Sequence, residues 1–394
     1  MDEDCCKEKG ITCTNNKITS IEITLDSGNI NFEQFPEFNN LEKLSIKGDA
    51  FQGSLPKKLF QLPIKTLVVS NSNISQLPED IDVNNILEEI YLNDNQIKSF
   101  PYQLKNIINL NLLNLDNNNI TGTLNNDFIN KNFINLEILS LQNNNMKGEL
   151  AIPEYVKVLN IRNNKFTSII NDSNNYELKE FIASNNEFST GIFYSFNIPS
   201  IIKKLILDNN NIDAIPFEIS FFKLLVTLNL AHNNIKEMDN GIFELENLKY
   251  FDISNNPELN VTLINFSGSK PIGICELTNT NVLCYQRNTC NNENVNNTLR
   301  ECTMDEINAI KNNIDKNDEP AGVNMIFYGA LYLLIQLLPS IVYLFFLGCC
   351  SKRSNGSSKN SKENESPTPP KNVSEQSTPH FNGNEVGDPS LPVN

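Results

Sequence analysis

The cysteines are the residues whose spacing carries the most chemistry in this chain. Nine occur in 394 residues, in three groups. Cys5, Cys6 and Cys13 stand near the start, Cys275, Cys284, Cys290 and Cys302 stand together far downstream, and Cys349 and Cys350 are adjacent. Two chemistries fit such groups: disulfides in an oxidising compartment, or thiolate ligation of zinc. A zinc site competes poorly, because the spacings hold no pair of C-x-x-C knuckles. Disulfides are therefore expected in the first two groups, and no metal or cofactor is expected. Catalysis finds little support either. His232 and His380 are the only histidines, and no Ser, His and Asp set emerges among the scattered carboxylates. The chain does not read as an enzyme.

What would position the cysteines is a repeat that lies between the first two groups. The pattern Leu-x-x-Leu-x-Leu-x-x-Asn-x-Leu, with Ile, Val or Phe replacing Leu, starts at Leu41, Ile64, Leu87, Leu110 and Leu136. It starts again at Val156, Leu178, Ile202, Leu225 and Leu248, and a weaker copy opens at Ile18. A period of 20 to 26 residues over about eleven copies means a solenoid, whose coils cannot bury a core alone. Leu-x-Leu alternates with period two, so each copy supplies a short strand with one buried face. The Asn three residues on can bond backbone groups of the turn, coil after coil. Asn95, Asn118, Asn144, Asn164, Asn186, Asn210, Asn233 and Asn256 hold that place, with Asp49 and Ser72 replacing it in two early copies. Terminal coils of a solenoid expose their cores and need caps, the place where the two cysteine groups fall.

These motifs resemble the leucine-rich repeat family. The copy from Leu41 to Leu62 is similar to the plant-type subclass, with Gly53, Leu55, Pro56, Leu59 and Leu62 in the subclass positions. Gly122 with Leu124, and Gly148 with Leu150, keep part of that signature. The resemblance implies a horseshoe of α/β-solenoid type, with a parallel concave β-sheet and a convex side of short 3-10 or irregular segments. Asp4 to Cys13 resembles the N-terminal cap of plant-type repeat proteins, which implies a Cys6–Cys13 bond and a partner for Cys5 upstream of Met1. Glu8 stands where that family usually has Trp.

Met325 to Leu347 carries no charge and reaches roughly 34 Å as a helix, enough to cross a hydrocarbon core of about 30 Å. Lys352 and Arg353 follow it, whereas Asp315, Asp318 and Glu319 outweigh Lys316 before it. Positive charge stays cytoplasmic, so the repeats are expected outside a plasma membrane, anchored in its bilayer by one span. Met1 is followed at once by Asp2, Glu3 and Asp4 with no apolar leader. We therefore expect the natural chain to begin further upstream, with a leader and one more Cys. The expected organisation is a Cys cap at 1–17, repeats at 18–262, a second Cys cap at 263–303, a linker at 304–324, the span at 325–347 and an unstructured tail at 348–394. In that topology Asn73, Asn119, Asn171, Asn260, Asn265 and Asn296 are glycosylation sequons, and Cys349 and Cys350 are palmitoylation candidates. The formal charge is −16, all of its excess acidity lying before the span, which argues against nucleic acid as a partner.

Outward-pointing strand residues of such a solenoid form columns on the concave face. An apolar group crosses their middle: Tyr91, Leu112, Ile138, Val158, Ile182 and Ile206. Exposed together they would mark a binding site, whereas scattered β-branched residues would only favour strand geometry. Resemblance to receptor-like proteins implies recognition of an extracellular protein, peptide or glycan, with any signal passed through a co-receptor, since 44 tail residues hold no kinase motif. An adhesive tether and a membrane-anchored inhibitor of an extracellular enzyme are the alternatives.

Overall fold

A computed structural model describes residues 5–308, apart from 26–34, 37, 49–50, 82–85, 171–174, 197–199, 262, 267–270 and 292–298. One 13-stranded sheet dominates these residues. Its first strand, Ile11–Thr14, turns back antiparallel onto Lys17–Leu25; every later strand, from Lys43–Gly48 to Ile274–Glu276, is parallel to its neighbour. The strands align so that the central Leu of each repeat stacks on the next. Leu113, Leu139, Leu159, Phe181, Leu205 and Leu228 occupy one register row, each fully buried. A slip of one residue would send this whole row to solvent, which fixes the pairing. Between the concave sheet and the convex side, Phe181, Phe196 and Phe222 pack edge to face across successive coils.

The buried asparagines join the coils. Asn118 donates from Nδ2 to the carbonyls of Leu115 and Asp116 in its own turn and of Leu92 in the coil before. Its Oδ1 accepts from the Ile97 backbone at 2.9 Å. Asn144, Asn164, Asn186, Asn210, Asn233 and Asn256 repeat that set of contacts. All are at most 8% exposed. Only an amide offers donors and an acceptor at one short tip, which is why this position is Asn rather than Asp or Leu. Ser72, shorter, donates to the carbonyls of Gly48 and Ser70. Asp49 lies outside the described residues.

The residue before each ladder Asn has positive φ, between 53° and 57° from Asn71 to Asn255. Asn fills most of these places because it tolerates the left-handed region best among residues with a side chain. The Asn-Asn pairs of the sequence therefore have two separate causes, conformation at the first residue and hydrogen bonding at the second. Gly48 has φ +87°, and a Cβ there would lie 2.1 Å from the Leu25 carbonyl oxygen of the coil before. Gly48→Ala is expected to cost about 3 kcal/mol or more, combining a strained backbone with a forced separation of two coils. Urea denaturation would show it as a fall in midpoint.

Among the described residues the convex side holds five 3-10 helices, small two- and three-stranded sheets and the helix Asn126–Asn132. That helix sits in the coil from Leu110 to Leu136, whose length leaves room for it, and the Asn125 side chain caps it by accepting from the Phe128 backbone. Gly53, Gly122 and Gly148 lie in the small convex strands with φ of 79° to 84°. A further coil follows at 272–282, within the segment expected to be the second cap. Ile272, Cys275, Leu277, Thr280 and Val282 stand at the repeat spacing, and Ile274–Glu276 extends the sheet beyond Tyr250–Asp252. Cys275 fills the central Leu place and Thr280 the Asn place, bridging to Asn256.

The tips are closed by sulfur. Cys6 bonds Cys13, Cys275 bonds Cys290 and Cys284 bonds Cys302. The expected span, its linker from residue 309 on, Cys349, Cys350 and the tail lie outside the described residues. Among the described residues no helix is long and apolar enough to cross a membrane.

Candidate ligand-binding surface

The concave face presents its side chains in columns set by the strand register. Leu112, Ile138 and Val158 are direct neighbours in one column. Tyr91 lies one column over, opposite Asn114, and Ile182 and Ile206 are neighbours in that same second column, next to Asn160. The six apolar residues thus form a stepped row, a staircase that moves over one column at Leu112 and returns at Ile182. Ile138, at its centre, is 38% exposed, and the other five are half-buried. Several concave residues expected at the surface are instead buried: Ser45, Ser70, Ser184, Ala231, Asp252 and Ser254. Ser184 donates to Asp208 of the next coil, and Asp252 accepts from Tyr250 and Ser254 of its own.

Polar groups border the staircase. Asp116 Oδ1 accepts from Ser140 Oγ at 2.6 Å and from the Gln142 backbone at 2.7 Å. Asn160 donates to Gln142 Oε1 at 3.1 Å, and Ser184 Oγ donates to Asp208 at 2.6 Å. Burial pushes the Asp116 carboxyl above its ordinary range, the hydrogen bonds from Ser140 and Gln142 opposing that rise. Tyr91 is raised by burial and by Glu89, to which its hydroxyl donates. Tyr250 is pushed up to about 12 by burial and by the neighbouring Asp252. Both phenols therefore stay protonated at neutral pH and can donate.

The Asp116 shift has a definite sign. A carboxyl whose folded pKa lies above its unfolded value takes up its proton more readily when folded, so its charge opposes folding once the pH exceeds that range. Asp116→Asn keeps an acceptor for Ser140 and Gln142 and removes the charge. It is expected to raise the Tm at pH 7 and to leave it unchanged near pH 3, where aspartates are protonated in both states. A thermal melt at the two pH values reads this directly.

No protein-family model matches the sequence, and no curated protein does. Solved structures do match. A leucine-rich repeat protein of Leptospira interrogans superposes with a TM-score of 0.50 and 22% identity, over 63% of this chain and 69% of the other. A TDR receptor gives 0.54 and 21%, over 68% of this chain and 47% of its own. The leucine-rich repeat domain of APL1B gives 0.50 and 18%, over 71% and 88%. The fold is the leucine-rich repeat solenoid. This chain matches about half of the length of the TDR receptor chain.

On the leucine-rich repeat frame, the four described sequons lie outside the concave strands that carry the staircase. Asn119 and Asn260 are exposed, Asn73 and Asn265 are half-buried, and Asn171 and Asn296 lie outside the described residues. Asn73 Oδ1 already accepts from Gln96. Repeat spacing brings the six apolar residues onto one face and also gives the step, for Leu112, Ile138 and Val158 follow their repeat starts by two residues and Tyr91, Ile182 and Ile206 by four. That step depends on which strand position each apolar residue takes. Asn175, which sits outside the repeat pattern, is also buried; it donates to the Pro153 and Val156 carbonyls and accepts from the Glu177 and Leu178 backbone.

Proposed function

We propose that this chain is a cell-surface recognition protein that binds an extracellular protein or peptide along the concave staircase. The observation that carries the reading is the staircase itself: apolar side chains left accessible on the open face of the sheet, beside amide, hydroxyl and carboxylate groups. Apolar steps two residues apart and rows one strand apart suit an extended chain laid across the coils, with Asn114, Asn160 and Asp116 at its backbone. The amide-rich border also suits a glycan, which the same experiment tests. The cysteine-closed tips fit an oxidising exterior, and the apolar segment at 325–347 would hold the repeats at a plasma membrane with the tail inside. Any signal would pass through a co-receptor. The TDR receptor match supports a receptor-like role at the level of fold alone.

The test is to display the full chain on cells and screen it against secreted proteins, peptides and a glycan array. Ile138→Asp with Val158→Asp is expected to reduce binding of a true ligand at least a hundredfold, while surface display stays normal. Ligands held equally by the variant would overturn the concave-face reading.

A further inference from the structure

The solenoid has two lateral edges, and they differ. One carries the left-handed Asn row, where Asn117 donates to Asp94 and Asn143 to Asn117. The other is the turn that returns the chain from the convex side to the sheet, and it exposes large apolar residues in consecutive coils. Ile86, Ile108 and Ile134 stand in its first half and Tyr155 and Tyr176 in its second, each 39% to 65% exposed. Ile201 follows, half-buried. Nothing in the turn requires this: Asn109 and Asn135 beside them show that polar residues fit. A contiguous apolar row of this kind is uncommon on a free surface.

Next to it runs a row of one residue per coil, eight of the ten charged, tied by backbone hydrogen bonds of 2.8 Å from each residue to the one before. Its first half reads Glu42, Lys65, Glu88, Asn111 and Glu137. Its second half reads Lys157, Lys179, Lys203, Val226 and Lys249. Reversed and set against itself about the midpoint between Glu137 and Lys157, the row is complementary. Glu137 meets Lys157, Glu88 meets Lys203 and Glu42 meets Lys249. Asn111 meets Lys179 and Lys65 meets Val226, so no like charges face each other. The apolar row matches about the same point, Ile134 with Tyr155, Ile108 with Tyr176 and Ile86 with Ile201. The turn carboxylates Glu154 and Glu177 then face Asn135 and Asn109.

We propose that this edge is the contact between two copies of the chain, related by a two-fold axis between the Leu136 and Val156 coils. A two-fold contact uses one patch twice, with residue i on j and j on i, which is the symmetry these rows possess. At about 4.8 Å per strand, ten coils make an edge roughly 45 Å long, enough for a standard interface of about 800 Å² per partner. Across the axis the Glu137–Lys157 pair, 2.5 Å apart within one chain, meets its symmetry mate and forms a four-charge ring. The concave face stays open, so the contact is independent of ligand binding.

The experiment uses the full chain in mild detergent. Light scattering is expected to give a protein mass of two chains. Glu88→Lys, which sets Lys against Lys203 twice per dimer, is expected to weaken association at least tenfold, and adding Lys203→Glu to restore it. Glu88→Cys with Lys203→Cys is expected to give a crosslinked dimer on mild oxidation. Within one chain those positions are about 24 Å apart, too far for a disulfide. Neither single Cys variant should add a product to the parent pattern. A monomer at 100 µM, failure of the double charge swap to restore association, or absence of the double-Cys crosslink would each overturn the proposal.

Discussion

Asn144→Leu is expected to cost this protein on the order of 4 to 6 kcal/mol, the largest effect of any single change within the repeats. The side chain donates to Leu115 and Leu141 carbonyls at 3.0 Å and to Gln142 at 3.3 Å, and it accepts from the Ile120 backbone at 2.9 Å. Leucine matches its length but leaves these groups unpaired in a dry core, at about 1–3 kcal/mol each. Asn144→Asp should be as harmful at pH 7, because a carboxylate turned toward carbonyl oxygens has nothing to donate. The loss should also be local. Coil stability depends on nearest neighbours, so the array is expected to split at the mutated coil. Hydrogen exchange read by fragment should show coils on either side of residue 144 losing protection before those near the tips. A uniform loss along the chain would mean that the solenoid folds as one unit.

The second large effect is expected at the far tip. Cys275 occupies the core place of the last parallel strand and is fully buried. It closes a loop of 15 residues to Cys290, and Cys284 closes one of 18 to Cys302. Loops of that size restrain the unfolded chain by roughly 3 kcal/mol each. Replacing all four cysteines with alanine is thus expected to remove about 6 kcal/mol and to leave the Tyr250–Asp252 strand as an open edge. Limited proteolysis should then cut after residue 248 while the coils up to Leu225 stay resistant. Reduction of the wild-type chain should reproduce those cuts at this tip, any added cut near the first strands reporting the loss of Cys6–Cys13. An unchanged digest would show that the packing of Ile272, Leu277 and Val282 holds this tip alone.

The repeat was legible because two periodicities coincide in it, alternation within a strand and one Asn per coil. Both arise from local geometry, and local geometry is written in spacing. The further coil at 272–282 was harder to see. Cys275 and Thr280 stand in for Leu and Asn, and a buried disulfide sulfur and a hydroxyl do the same work there with less recognisable residues. Its signal is the spacing of Ile272, Leu277 and Val282 and nothing more.

Cysteine pairing downstream was not legible, because four thiols can pair in three ways and only the coil path brings Cys275 to Cys290 and Cys284 to Cys302. The same holds for exposure. Ser45, Ser184 and Asp252 alternate with the core residues of their strands, yet they are buried.

Order along the chain thus determined that the protein is a stack of coils, where each strand begins and which amides hold the stack. Those features need only residues a few places apart. Position across coils was decided by the tertiary structure: which concave residues stay exposed, the partners of the cysteines and the matched halves of the lateral edge. These involve residues from 15 apart, as in Cys275 and Cys290, to 207 apart, as in Glu42 and Lys249, and the register of parallel strands sets which of them meet.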